Sequence, residues 1–136
     1  LNPYQVQFDL QDLLQDKVGI IRREDTLVEA NKEIDGLAEK AEMVAVSGDR
    51  KFNPGWHTAL DLKHLLTVAK ACACSALARK ESRGAHSRID FPNKETGHWA
   101  KHTIGLRKGE DGEMEVVETP ILEIPEKLQK IIEEQG

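Results

Sequence analysis

Between Thr58 and Ser82 a helical wheel has almost no polar stripe. Leu60, Leu62, Leu65, Leu66, Val68, Ala69, Cys72, Ala73, Ala76 and Leu77 cover most of its circumference. A helix that is apolar nearly all round must be covered on several sides. Its run AKACACSALA, residues 69–78, is built of small side chains that let neighbouring backbones come close. This segment is therefore expected to be the central element of the fold. The pattern predicts a start near Trp56 to Thr58, with a loose capping pattern in TALD (Thr58 to Asp61), and an end near Ser82.

Two helices are expected to pack against it. Val6, Leu10, Leu13, Leu14, Val18 and Ile21 recur at helical spacing, and Pro3 suits a first turn. That predicts a helix from Pro3 to about Val18, weakened at Gly19 and followed by a turn in RREDT. Leu27, Ala30, Ile34, Leu37, Ala41 and Val44 step by three and four. TLVE (Thr26 to Glu29) has the form of a capping box, and Gly48 suits a C-terminal cap after Ser47. DRKFNPG reads as a loop. Past Gly84 the helical pattern stops. HWAKHTIGLR and EMEVVETPI flank KGEDGE, which predicts a β-hairpin around a Gly-Asp-Gly turn. A short terminal helix could begin at Pro125. The fold class expected is mainly α: an antiparallel three-helix bundle over residues 1–84. An extended segment, hairpin and tail over 85–136 are expected to pack on it within one domain.

The composition sets limits on function. With 136 residues and 39% hydrophobic content, one modest core is the expectation. No apolar run is long enough to span a membrane. The N-terminus has no basic-then-apolar signal pattern, and a first residue of Leu rather than Met reads as a piece of something longer. Cys72 and Cys74 lie two apart in a helical pattern, so their side chains point to nearly opposite faces. They are expected to be small buried hydrophobes in a reducing compartment, neither paired with each other nor holding zinc. No glycine-rich dinucleotide fingerprint or phosphate loop is present, and GEDGE has the wrong charge to hold phosphate. His98 and His102 bracket HWAKH at a spacing that binds zinc on a helix, but the segment reads as extended and no third ligand is obvious. His57 and His64, seven apart on one face, read as solvated or capping histidines.

The charge is uneven. Residues 79–108 hold eight Lys or Arg against three acids, a surplus of +5 in a chain of net charge -5. One basic face meeting something acidic is the natural reading. Nucleic acid is disfavoured, because no recognition module and no interleaved stacking aromatics accompany it. Within this stretch lies ESRGAHSRIDFP, residues 81–92. Arg79, Lys80 and Arg83 suit a helix C-terminus and Gly84 a left-handed cap. That leaves His86, Arg88 and Asp90, which alternate and would share one side of an extended strand. Such a row needs mutual pairing if buried and is suited to hydrogen-bonding a partner surface. An interface is favoured over a ligand or catalytic contact, since nothing here supplies a hydride or electron acceptor.

These residues resemble a known family. The block from Ala78 to Pro92 (A-R-x-E-S-R-G-A-H-x-R-x-D-F-P) and the block from Trp99 to Thr103 (W-x-K-H-T) are similar to the C-terminal helical domain of succinate dehydrogenase and fumarate reductase flavoprotein subunits. VGIIRREDTL (Val18 to Leu27) is a weaker match, and the resemblance covers essentially the whole chain. L-aspartate oxidase shares a version of the E-S-R-G-x-H block and is a second candidate. A free-standing helical interaction module is a third. The resemblance implies a longer flavoprotein that carries FAD and interconverts succinate and fumarate. Electrons would pass to an iron–sulfur subunit and a quinone pool. It implies a cytoplasmic protein, peripheral to the membrane through partner subunits. The family's FAD-binding domain and catalytic residues precede this region, so no catalytic, cofactor-binding or metal-binding residue is expected here. Related fumarate reductases lacking this domain still do the chemistry, which argues against catalysis by Arg83, His86 or Arg88. The implied role is a scaffold docked on the flavin-binding domain. Arg79, Glu81, Arg83, His86, Arg88 and Asp90, with Lys101 and His102, are the expected interdomain network.

Overall fold

The computed structural model describes residues 1–111 and 113–136. Three long helices dominate it: α1 (Pro3–Lys17), α2 (Glu24–Glu42) and α3 (Pro54–Ala78). Two-residue strands β1 (Ile21–Arg22) and β2 (Ser87–Arg88) pair in parallel. A single helical turn, α4 (His98–Lys101), leads into β3 (His102–Lys108), which pairs antiparallel with β4 (Met114–Pro120). A terminal helix, α5 (Glu126–Gln135), ends the chain. The molecule is thus mainly helical with a small antiparallel sheet near its C-terminus.

Each long helix packs on the other two. Val6, Leu10 and Leu13 of α1 meet Leu27, Ala30, Ile34 and Leu37 of α2 and Leu62, Leu66, Ala69, Ala73 and Ala76 of α3 in one buried cluster. On α3 the buried alanines fall three and four apart, so the small-residue run does face its neighbours. Fully burying each Leu or Ile stabilises by about 1.5–3 kcal/mol. The cover is one-sided, however. Leu65 and Val68 on the opposite face of α3 are 40% and 62% exposed.

Helix ends differ from the sequence expectation, and the caps show why. α1 starts as expected, with Asn2 accepting the Tyr4 amide at 2.9 Å and Pro3 in the first turn. α2 starts two residues before Thr26, which therefore cannot act as its N-cap. Thr26 Oγ1 instead donates to the Arg23 carbonyl at 3.1 Å. α2 also ends at Glu42, and Gly48, at φ +94°, lies in the following loop rather than at the cap. α3 begins at Pro54, whose fixed φ suits a first turn, and Thr58 Oγ1 back-bonds to the Pro54 carbonyl.

The far end of α3 carries the larger correction. The helix stops at Ala78, not Ser82. Gly84 does not cap it but makes a tight turn. Arg83 and His86 exchange backbone hydrogen bonds of 2.8 and 3.0 Å, with Gly84 at φ +59° in the first central position. Positive φ at that position alone is the type II′ pattern. HWAK is helical rather than extended, because Glu95 gathers the amides of Gly97, His98 and Trp99 at its carboxylate and starts a turn there. The hairpin forms in the expected place, while Gly112 of its turn lies outside the described residues. α5 follows Pro125 as expected, and residues 121–136 are exposed throughout. Cys72 is exposed rather than buried. Cys74 is half-buried, and its thiol, pushed up by burial, donates to Asn31 Oδ1 at 3.0 Å.

Candidate functional site

The two largest polar surprises in the interior are Arg88 and Glu81, both 0% exposed. Each lies at the centre of its own group of partners. Together the groups tie helix ends that would otherwise carry unpaired backbone atoms.

Arg88 Nε and Nη2 donate to Asp90 Oδ1 and Oδ2 at 2.8 and 2.6 Å. This two-point pairing is the strong form of a guanidinium–carboxylate contact. Arg88 Nη1 points the other way. It donates to the carbonyls of Ala76 and Leu77, 2.9 and 3.1 Å away, and more weakly to that of Arg79 at 3.4 Å. The guanidinium is thus the C-terminal cap of α3, supplied from nine residues or more downstream. Asp90 Oδ2 also accepts the Glu24 amide at 3.2 Å, in the first turn of α2. One ion pair therefore puts positive charge at a helix C-terminus and negative charge at a helix N-terminus, the favourable sense at both ends. The Arg88 guanidinium holds the Asp90 carboxyl down to a pKa of about 2.

Glu81 centres the second group. Its Oε1 accepts from Arg79 Nε and Arg83 Nε, each at 2.8 Å, and its Oε2 from the Glu95 amide at 2.9 Å. Burial alone would push this carboxyl up. The bonds from Arg83, the Glu95 amide and Arg79 overcome it and hold the pKa at about 2. Arg83 Nη2 continues to the Glu95 carbonyl at 2.6 Å, and Arg79 Nη2 to the Trp99 carbonyl at 3.2 Å. The Arg79 guanidinium also lies 5.1 Å from the centre of the buried Trp99 ring. Through these contacts the α4 turn and the hairpin are anchored to the end of α3.

His86 joins the two groups. Its Nε2 is 2.9 Å from the Arg79 carbonyl and its Nδ1 is 2.8 Å from Arg22 Nη1. A carbonyl only accepts and a guanidinium only donates, so Nε2 carries the proton and Nδ1 is the acceptor. Arg22 Nε in turn donates to the Gly19 and Val18 carbonyls at 2.7 and 3.2 Å, closing the end of α1. Ser82 Oγ donates to the Phe91 carbonyl at 2.8 Å and accepts the Arg88 amide at 2.9 Å, which sets the loop around Arg88. Among the described residues no buried side-chain nitrogen or oxygen lacks a hydrogen-bond partner.

The structure therefore brings together six of the eight residues singled out from sequence. Arg79, Glu81 and Arg83 share one carboxylate, Arg88 and Asp90 form a pair, and His86 bridges them. β2 is too short to present His86, Arg88 and Asp90 as a strand row; His86 and Arg88 instead converge on the Arg79 carbonyl. Lys101 and His102 lie apart at the base of the hairpin. Lys101 is exposed, and its carbonyl accepts the Ile121 amide at 2.8 Å. His102 Nδ1 bonds to the His98 carbonyl at 2.9 Å, its ring stacked on that of His98 at 4.1 Å. His98 Nε2 is 2.6 Å from Glu118 Oε2. Arg22, Ser82 and Glu95 are members of the network that the sequence does not single out. Arg22 stands inside the weaker matching block, which was the available signal. Glu95, just before a helical turn, had the position of an acidic N-terminal cap. Chemically, the charged atoms of the arrangement bond to one another and to helix ends.

The comparisons with known proteins fit this geometry. The family described as "Fumarate reductase flavoprotein C-term" matches residues 7–131. The chain is 38% identical over 117 residues to a fumarate reductase flavoprotein subunit of Mycobacterium tuberculosis, covering 85% of this chain and 20% of that protein. It is 32% identical to a succinate dehydrogenase flavoprotein subunit of Coxiella burnetii, covering 79% and 19%. Among solved structures it superposes on Mycobacterium smegmatis Sdh1 in complex with UQ1 with a TM-score of 0.87. That alignment has 34% identity and covers 98% of this chain and 23% of that one. The chain belongs to the C-terminal family of fumarate reductase and succinate dehydrogenase flavoproteins. It spans about a fifth of the length of these curated relatives.

Proposed function

We propose that residues 1–136 are the C-terminal scaffold of a flavoprotein oxidoreductase that interconverts succinate and fumarate. The observation that carries this is the family match over residues 7–131. FAD and the catalytic residues belong to parts of the protein outside this stretch. Among the described residues the elements do not suit a dinucleotide: the one parallel strand pair is two residues long, and neither strand runs through a glycine-rich turn into a helix. In this reading α1, α2 and α3 are an antiparallel three-helix bundle, and residues 85–136 complete the same domain. Its partners are the flavin-binding domain and an iron–sulfur subunit, and membrane association is peripheral, through other subunits. Among the described residues no helix is long and apolar enough to cross a membrane.

The site residues take a role consistent with this. Glu81 and Arg88 act from the interior, holding the loop in shape. Arg79, Arg83, His86 and Asp90, each partly exposed, with Lys101 and His102, form the edge offered to the rest of the flavoprotein. The test uses the full-length protein. Succinate oxidation and fumarate reduction are assayed beside aspartate oxidation, with flavin content and retention on denaturation. Turnover of aspartate alone would move the protein to L-aspartate oxidase, and a chain without flavin would leave an interaction module. Arg83→Ala is expected to lower flavin retention or assembly while the assembled fraction keeps its substrate KM. Full flavin and assembly with lost substrate binding would overturn the scaffold role.

A further inference from the structure

The contact between His86 and Arg22 has a property that its neighbours lack: it exists in only one protonation state of the ring. Arg22 reaches it from the α1–α2 connection, across 64 residues of sequence. The bond needs a lone pair on Nδ1, because a guanidinium has nothing but donors. A second proton would occupy that lone pair and turn the contact into two donors facing each other. It would also place a cation among Arg22, Arg79 and Arg88, the charged groups that face the ring. Relief from a carboxylate is not at hand. Glu81 is bonded to Arg79 and Arg83, and Asp90 to Arg88 and the Glu24 amide. Among the described residues none of the ring's hydrogen bonds goes to a carboxylate.

What the ring joins makes this consequential. On one side Arg22 closes the end of α1 and forms β1. On the other His86 closes the Gly84–Ala85 turn and bonds the Arg79 carbonyl at the end of α3. Among the described residues the other hydrogen-bonded ties between these segments are the two-residue β1–β2 ladder, the Ile89 amide on the Arg22 carbonyl and the Asp90 contact to the Glu24 amide. A ladder this short has little strength of its own.

We propose that His86 is an acid-sensitive catch that holds the α1–α2 connection to the 82–92 loop while neutral and releases it when protonated. The inference is independent of the redox activity proposed above. Burial and the surrounding guanidiniums favour the same direction, holding the ring's pKa below its ordinary 6.5. With the proton taken up only in the opened form, local opening grows as pH falls below about 6.5. It approaches about tenfold at one unit lower.

The experiment is hydrogen exchange followed by mass spectrometry on the full-length protein, reading peptides covering residues 18–24 and 82–92. Exchange is corrected for its intrinsic pH dependence. Between pH 7.5 and 5.5 the opening constant of both peptides is expected to rise together, by up to about tenfold, while core peptides of α2 and α3 stay unchanged. His86→Gln keeps an acceptor and a donor without titrating, so it should retain protection at pH 7.5 and remove the rise. A rise that persists in His86→Gln would overturn the catch. Should that variant misfold, the His86 ring of the wild-type protein is titrated by NMR with labelled histidine. Titration below the ordinary value, with the proton on Nε2 before it, supports the catch; titration at or above it sinks the idea.

Discussion

The aliphatic core and the charged knot at the helix ends fill similar space by opposite means. Leu27, Ile34, Leu62 and Val6 are almost fully buried and need only apolar company. Their contribution is non-directional, follows area, and tolerates replacement by residues of similar volume. Arg88 and Glu81 are as deeply buried, yet each is held by three or more hydrogen bonds of fixed direction. Removing one partner there leaves charge without compensation in the interior. The core fixes that three helices pack; the knot fixes where they end and what is tied to their ends.

The sharpest way to break this contrast is Arg88→Ala. It would strip Asp90 of its cation and leave the α3 carbonyls open. The expected loss is roughly 3–5 kcal/mol, read by chemical denaturation, with the 82–92 loop losing protection first. A loss under about 1 kcal/mol would mean that the pair behaves like a surface ion pair and that the knot is ornament on the core.

Acid should separate the two regions next. Glu81 and Asp90 have native pKa values of about 2, below their ordinary 4.5 and 3.8. The unfolded chain therefore binds protons first as pH falls. The stabilisation is present above about 4.5, declines below that, and is lost as pH falls through about 2, with Glu81 contributing on the order of 3 kcal/mol. Because His86 is depressed from 6.5, its decline begins at higher pH, which separates the catch from the carboxylates. Glu81→Gln should reduce the slope of the lower window, leaving the Asp90 share of it and the upper window in place. Denaturation midpoints across pH 2–7 would show one continuous slope instead if the core were the acid-sensitive part.

Ile34→Val tests the other side of the comparison. It removes one methylene from a residue that is 1% exposed and costs about 0.5–1.5 kcal/mol, with no new pH dependence. An equally small change in the knot, the isosteric Asp90→Asn, removes the charge that Arg88 pairs with and should change the pH profile as well as the midpoint.

Legibility in the sequence divides along the same line. Leu27, Ala30, Ile34 and Leu37 announce α2 because burial on a helix has a period, and the period is written locally. The knot has no period. Arg88 caps a helix that ends ten residues earlier, and Asp90 takes an amide 66 residues away. Composition and alternation pointed to the 81–92 stretch as a unit. Partners such as Arg22 become visible only once the chain has folded back. The misplaced ends of α2 and α3 have the same origin. Thr26 and Gly84 are good local caps, but distant side chains supply the caps at Glu24 and Ala78.

The smallest expected effect falls in the tail, where neither mode of stabilisation operates. Leu128, Ile131 and Ile132 are spaced to form one face of α5 yet are 51%, 42% and 55% exposed. They make no part of the buried cluster, and among the described residues the one side-chain hydrogen bond within the helix links Gln129 to Glu133. An exposed apolar side chain in a short helix contributes little to global stability, so Leu128→Ser should change the denaturation midpoint of the chain by less than about 0.5 kcal/mol. Its effect on α5 itself should also be slight, since an isolated ten-residue helix is marginal in water whatever its sequence. A loss above about 1 kcal/mol in the same measurement would mean that this face is covered when the chain folds in solution. The tail would then belong with the core, on the apolar side of the contrast.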